Sequence, residues 1–195
     1  MFIAPAGGDT FLRNKRMKQV TFKEAMELWS TPERVVFVTG IDTDGRQHIM
    51  TVGWKMRASF RPPMIAVAIG KQRRLNKIIS SSREFVLAVP GTDLAKEVLI
   101  CGLPNNENVD RFEKCGFSRD PGTIVKAPLV QRALCSFECK LVAQLDTGDH
   151  TLFVGQVVAS WVNEDPKPHL MAIAEEPGFH VIAQEGSIKI GTVRS

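Results

Sequence analysis

The chain has 195 residues, 44% hydrophobic and 24% charged, with a net charge of +4 and a pI near 9.0. That length fills one domain and is short for two, and no apolar run approaches the roughly 20 residues that cross a bilayer. Its basic residues are scattered apart from positions 13–18 and 71–74, and tyrosine is absent, so a nucleic-acid binder with a basic stripe and stacking aromatics is not expected. The N-terminal M-F-I-A-P-A-G-G-D has no basic segment ahead of an apolar one. No signal peptide and a cytoplasmic location are therefore expected, with no membrane partner.

In chain order, Thr21 and Glu24 form a capping box that opens a short helix through Trp29, ended by Ser30-Thr31-Pro32. Three apolar, β-branched runs follow between positions 35 and 70, separated by Asp42-Thr43-Asp44-Gly45 and Arg61-Pro62-Pro63. This is the pattern of consecutive antiparallel strands. Read as one extended segment, positions 49–60 put Met50, Val52, Trp54, Met56, Ala58 and Phe60 on a core face. Ile49, Thr51, Gly53, Lys55, Arg57 and Ser59 fall on an oddly polar face. Gly53 within it marks a place where something comes close to the backbone.

After Gly70, Leu75, Ile78 and Ile79 have helical spacing, and positions 84–89 read as a buried strand closed by Pro90. Thr92 or Asp93 caps a further helix, and positions 109–114 form a brief one closed near Gly116. Two long strands follow, 135–145 and 151–162, joined by Asp146-Thr147-Gly148-Asp149-His150. In the first, Cys135, Phe137, Cys139, Leu141, Ala143 and Leu145 share the expected inner face. Beyond Asn163 the pattern weakens. Long alternation, short inserted helices and no β-α-β-α rhythm predict an antiparallel barrel with helical decorations. No dinucleotide or phosphate-loop glycine motif is present.

The four cysteines, Cys101, Cys115, Cys135 and Cys139, read as structural thiols. Cys135 and Cys139 lie roughly 13 Å apart on one strand, too far for a bridge or shared metal. His48, His150, His169 and His180 have no metal-ligand spacing, and no metal is expected. His150 could project from a barrel rim toward a ligand or be an ordinary turn residue. Lys71, Arg73 and Arg74 stand at a helix start, where cations and free N–H groups make an anion site, or they form a solvated basic loop. The polar strand, the strand end at 66–70 and this helix start follow closely on one another. They would suit a flat apolar ligand with a phosphate tail.

These pieces resemble the flavin reductase-like, FMN-binding split-barrel family, and within it flavoredoxin-type members. The resemblance rests on V-V-F-V-T with D-x-D-G, I-M-T-V-G-W, R-P-P-M-I-A-V-A-I-G-K-Q, N-K-I-I, E-F-V-L-A-V-P, D-L-A-K-E-V with C-G, K-A-P-L-V and T-G-D-H-T-L-F-V-G-Q-V, in that order over positions 33–162. It implies a mainly β fold, a six-stranded antiparallel Greek-key split barrel with short peripheral helices. Residues 33–195 would form that domain with a C-terminal tail, and residues 1–32 an extension and helix packing on it. It also implies a homodimer with FMN near the subunit interface.

Carried onto this chain, Met50, Thr51, Val52 and Gly53 would line the isoalloxazine, with the Thr51 hydroxyl on its polar edge, and Trp54 would take the family's aromatic place. Ala68, Ile69, Gly70 and Lys71 would face the ribityl chain, Arg73 and Asn76 the phosphate, and Asp149 and His150 the flavin or nicotinamide. His150 is the candidate catalytic residue. Two departures are visible: residues 103–108 replace a Ser-Gly-Arg loop, and Gly53 stands where many relatives have serine. The implied function is an oxidoreductase moving electrons from NADH or NADPH through FMN to free flavin or another acceptor, a redox protein included. The alternatives are an FMN-containing electron carrier with little NAD(P)H activity and a barrel module binding no flavin, or haem through its histidines.

Overall fold

The computed structural model describes residues 17–29, 32–104, 109–172, 178–183 and 186–192, and the chain divides into two units, Met1–Ser30 and Thr31–Ser195. In the first, helix α1 (Phe22–Trp29) begins with the expected capping box. The Glu24 N–H donates to Thr21 Oγ1 at 3.3 Å, and the Thr21 N–H donates to Glu24 Oε2 at 2.8 Å.

The second unit is built on one antiparallel sheet of seven strands: β1 (Val36–Ile41), β2 (Gln47–Val52), β3 (Lys55–Phe60), β4 (Pro63–Gly70), β5 (Glu84–Val89), β6 (Cys135–Thr147) and β7 (His150–Val162). Their order across the sheet is β2-β1-β5-β6-β7-β4-β3. β2 and β3 thus lie at opposite ends of the order, although only Gly53 and Trp54 separate them in sequence. Six inter-strand gaps of about 4.8 Å make roughly 29 Å, whereas three Cα–Cα steps of about 3.8 Å span at most about 11 Å. The sheet must curl until its edges meet. The Ala68 N–H donates to Trp54 O at 2.9 Å and carries the β3–β4 ladder up to that corner.

This geometry corrects the reading of positions 49–60 as one strand with one inner face. The chain breaks at Gly53-Trp54, and beyond the break Trp54, Met56 and Phe60 are 51%, 60% and 80% exposed. Nor is the polar face of β2 open. Thr51 donates to Val98 O at 2.7 Å on helix α3 (Ala95–Gly102), and Ile49 is buried with Val98, Phe112 and Phe117. The expected six strands are seven.

Helix α2 (Arg74–Ser82) supplies the barrel's interior filling: Leu75, Ile78 and Ile79 are buried among Val38, Val67, Phe85 and Phe153. Gly40 lets the helix approach β1, since a Cβ there would lie 2.9 Å from Ile78 Cγ2. On the opposite face of β1, Phe37 packs under α3 and the short helix α4 (Arg111–Lys114). A strand covered on both sides is why β1 and β5 read as continuous apolar runs rather than alternating ones.

The β6–β7 ladder shifts register at Glu138/Cys139, where the extra residue Val158 lies on β7, and at Leu141/Ala143, where the extra residue Val142 ends the expected alternation of β6. Glu138 is buried as well, on the other face of the strand beneath residues 123–125, while Cys139 and Leu141 keep the inner face. It accepts hydrogen bonds from the N–H groups of Thr123, Ile124 and Val125 at 3.0, 2.7 and 2.8 Å, and from the Trp161 indole at 2.9 Å. Burial alone would raise its carboxyl, but these donors outweigh it and hold the group below the ordinary carboxylate value. From Val142 onward the strand leaves the core, and Leu145, expected inside, is 62% exposed.

The weakly patterned end contains a three-stranded antiparallel sheet, β8 (Leu170–Ala172), β9 (Gly178–Ala183) and β10 (Gly186–Thr192), which the sequence reading missed. His180 lies in β9, and its side chain is outside the described set. Among the described residues no helix is long and apolar enough to cross a membrane.

Candidate functional site

Three segments converge beside the N-terminus of α2: the β1–β2 hairpin, the turn 71–73 after β4, and the chain around α4. The hairpin is set by Asp42, whose Oδ1 accepts from the N–H groups of Asp44 and Arg46 at 3.0 and 2.9 Å, while Gly45 takes the left-handed conformation that closes the turn. α4 is set by Asp110, whose Oδ1 accepts from the Glu113 N–H at 3.1 Å. The turn after β4 is held by Asn76, which donates from Nδ2 to Ile69 O at 2.8 Å, and by the Arg73 N–H donating to Gly70 O at 2.9 Å.

Between these segments lies a cavity of about 490 Å³, lined among others by Met50, His48, Arg46, Arg73, Arg74, Arg111, Arg119 and Asp110. Its volume is within the range of small-molecule sites, about 300–1,000 Å³. The five guanidiniums differ in what already engages them. Arg119 pairs with Asp110, Arg74 reaches Asp42 at 3.2 Å, and Arg111 donates to the carbonyls of Leu103 and Ile49. Arg46 and Arg73 have no ion-pair partner among the described residues. The cavity therefore presents unspent positive charge, and the donor set fits an anion such as a phosphate monoester.

His48 Nε2 and Asp42 Oδ2 are 3.0 Å apart. Burial lowers the His48 pKa, with Arg74 adding to it against the opposing Asp42 hydrogen bond. The Asp42 carboxyl, which burial alone would raise, is held below its ordinary value by His48 and the Arg46 and Asp44 N–H groups.

The sequence-derived candidates separate into three sets. Met50 and Arg73 line the cavity. Trp54, Ala68, Lys71, Asp149 and His150 form a group at the barrel seam. There the Trp54 and His150 rings lie 4.5 Å apart, His150 Nδ1 is 2.7 Å from Asp149 Oδ1, the Lys71 N–H donates to Asp149 O at 2.9 Å, and Lys71 Nζ reaches Asp146 at 3.4 Å. Thr51, Val52, Gly53, Ile69, Gly70 and Asn76 make the framework between them. Val52 and Ile69 are core residues, and Thr51 and Asn76 spend their side chains on internal carbonyls. What comes close to Gly53 is Glu33, whose Oε2 would lie 2.9 Å from a Cβ there. Glu33 is fixed by Lys55 at 3.3 Å.

Arg46, Arg111 and Arg119 went unnoticed in sequence. No local spacing links them, because the fold gathers them from two separated segments, the β1–β2 hairpin and the chain around α4. Of the loop that departs from the relatives' pattern, residues 105–108 lie outside the described residues. Among the described residues no three His, Cys, Asp or Glu side chains cluster to hold a metal ion.

A family model described as a flavin reductase like domain matches residues 28–176. The chain is 33% identical over 123 residues to an uncharacterized protein of Archaeoglobus fulgidus, covering 63% of this chain and 68% of that one. It is 28% identical over 151 residues to the NADH:riboflavin 5'-phosphate oxidoreductase of Streptomyces pristinaespiralis, covering 77% and 82%. The solved flavoredoxin of Desulfovibrio vulgaris (Miyazaki F) superposes with a TM-score of 0.68 at 24% identity, over 85% of this chain and 90% of that one.

Proposed function

The chain belongs to the flavin reductase-like domain family, and from that premise we propose that it is an FMN-binding oxidoreductase. It would take electrons from NADH or NADPH and deliver them through the bound flavin to free flavin or to another acceptor. The observation that carries this reading is the arginine-lined cavity continuous with Met50 on an edge strand.

FMN, when bound, supplies the hydride-accepting and electron-donating chemistry, so no protein nucleophile is required. Arg73, with Arg46 facing the same cavity, would hold the phosphate. The first N–H groups of α2 add the favourable end of its dipole. β2 has a strand neighbour on one side only, so the backbone groups of alternate residues along Met50, Thr51, Val52 and Gly53 would offer donors and acceptors to the polar rim of a planar ring. Ala68, Ile69, Gly70 and Lys71 flank the path from ring to phosphate, and Asn76 positions that turn rather than touching the ligand.

Trp54 stacks beside His150 and shields the reacting face. His150, oriented by Asp149, is the group placed to exchange a proton with the ring or hold the nicotinamide. Lys71 beside it would place positive charge near a bound ring. Association into a homodimer would cover Trp54, Met56 and Phe60 on the seam and the outer edge strand, together with Leu145 on the projecting β6–β7 hairpin, all of them large exposed hydrophobics. Residues 1–32 serve as an extension to the domain of residues 33–195.

The test is spectroscopic. The purified protein is titrated with FMN and then mixed anaerobically with NADH or NADPH. Uptake of FMN followed by bleaching within seconds is expected. No uptake contradicts the flavin reading. Uptake with bleaching only by a chemical reductant or a reduced protein assigns the carrier role instead.

A further inference from the structure

Cys101 lies in the last turn of α3 and Cys115 follows α4, and the fold brings their sulfurs to 3.8 Å although the residues are 14 apart in sequence. Nothing in the proposed electron transfer uses them. Both are buried, at 1% and 9% exposure, and both are reduced. A disulfide bond is about 2 Å long, so closing the pair asks for less than 2 Å of movement. Part of that movement is available as side-chain rotation, and Cys115 leads into Gly116, which already takes a left-handed turn.

We propose that Cys101 and Cys115 form a redox modification site, a dithiol that a peroxide converts to an intrachain disulfide. The two thiols are not equivalent. Cys115, in hydrogen-bond contact with Cys101 and lying near Arg111 and Lys114, is held below the ordinary thiol value despite its burial and the nearby Glu97. Cys101 is pushed up by the same hydrogen bond and by burial. Cys115, also the more exposed of the two, is the attacking sulfur.

Its thiolate displaces hydroxide from the peroxide O–O bond, giving a sulfenic acid. The hydroxide takes up a proton to become water. The Cys101 sulfur then displaces a second water from that sulfenic acid, losing its own proton in the process. Two thiols and one hydrogen peroxide become one disulfide and two waters, with two electrons passing to the peroxide.

The crosslink would tie α3 to α4 across the segment that departs from the relatives' pattern. It would also draw on Arg111, whose guanidinium bonds Ile49 O and Leu103 O at the cavity wall. Glu97, one turn before Cys101 on α3, has a buried Oε2 with no hydrogen-bond partner among the described residues. The proposal does not depend on the flavin reading.

The experiment uses the full chain without added cofactor. Folded protein is exposed to hydrogen peroxide, denatured, alkylated and digested with trypsin. The expected result is a linked pair of peptides, 97–111 with 115–119, lighter than the reduced pair by two hydrogen atoms and separated by dithiothreitol. Cys101 and Cys115 should lose alkylation together, at least about tenfold faster than Cys139, whose thiol burial and Glu138 push up to about 12. In Cys115→Ser, Cys101 should remain fully alkylated under the same treatment. The proposal is overturned by sulfinic acid on either residue with no linked pair. Consumption of Cys101 at an unchanged rate in Cys115→Ser would overturn it equally.

Discussion

β2 and β3 are neighbours in sequence, similar in length and both rich in apolar residues, yet the fold uses them in opposite ways. β2 is roofed by α3 and α4 on one face and faces the barrel interior on the other, so Ile49 and Val52 are 3% and 4% exposed. β3 takes the far edge of the sheet and leaves Met56 and Phe60 in solvent. Alternation specifies two faces but not what will cover them. On β2 an apolar side chain stabilises the protomer, while on β3 it is available for association.

The contrast can be broken by substitution. Ile49→Ala should lower the unfolding free energy by about 2–4 kcal/mol, the range for truncating a large buried aliphatic side chain, measured by denaturant titration. A loss under 1 kcal/mol would mean that the α3–α4 roof does not pack as described. Arg73→Ala, at the cavity beside β2, should weaken FMN retention by about 1–3 kcal/mol while leaving the unfolding midpoint nearly unchanged. Unaltered affinity would remove Arg73 from the phosphate site. Phe60→Ser, on β3, should change protomer stability by no more than about 0.5 kcal/mol yet shift the sedimentation profile from dimer toward monomer. An unchanged profile would place the dimer contact elsewhere.

A smaller effect sharpens the same comparison through pH. Both titrating groups of the β1–β2 hairpin have depressed values when folded. The stability they contribute is therefore complete at neutral pH. It declines first as His48 is protonated at pH values below its free value of about 6.5, then as Asp42 is protonated below about 3.9. Amide hydrogen exchange of Asp44 and Arg46, whose N–H groups bond Asp42, should lose protection on acidification. The β3 amides paired with β4 should not. Equal loss in both would point to global rather than local opening.

Much of this architecture was legible in sequence because its signals are local. The Thr21–Glu24 capping box, the Asp42–Gly45 turn and the Leu75, Ile78 and Ile79 stripe each depend on residues within a few positions of one another. The ordered motifs that carry the family resemblance are strand and turn fragments of the same kind. What stayed hidden depends on distant parts of the chain meeting. Gly53-Trp54 breaks the run only because the sheet closes there, and neither residue demands a break by itself. Residues 123–125 fold over the outer face of β6, so Glu138 is buried where alternation expected a solvent-facing residue. Arg111 and Arg119 reach the cavity from a segment with no phosphate motif, and Cys101 meets Cys115 without any recognised cysteine spacing. Of the candidate ligand residues, Arg73 could be read from its place at a helix start. The internal engagement of Thr51 and Asn76 required α3 and the end of β4 to be in place.

The central claim is that the unspent arginine charge beside β2 holds the phosphate of a flavin mononucleotide. Its most direct test is a paired titration of the protein with FMN and with riboflavin, which share the ring and differ in the phosphate. The account predicts that FMN binds at least about tenfold more tightly, a difference of about 1.4 kcal/mol, and that raising the salt concentration narrows the gap. Equal affinity for the two flavins would contradict it.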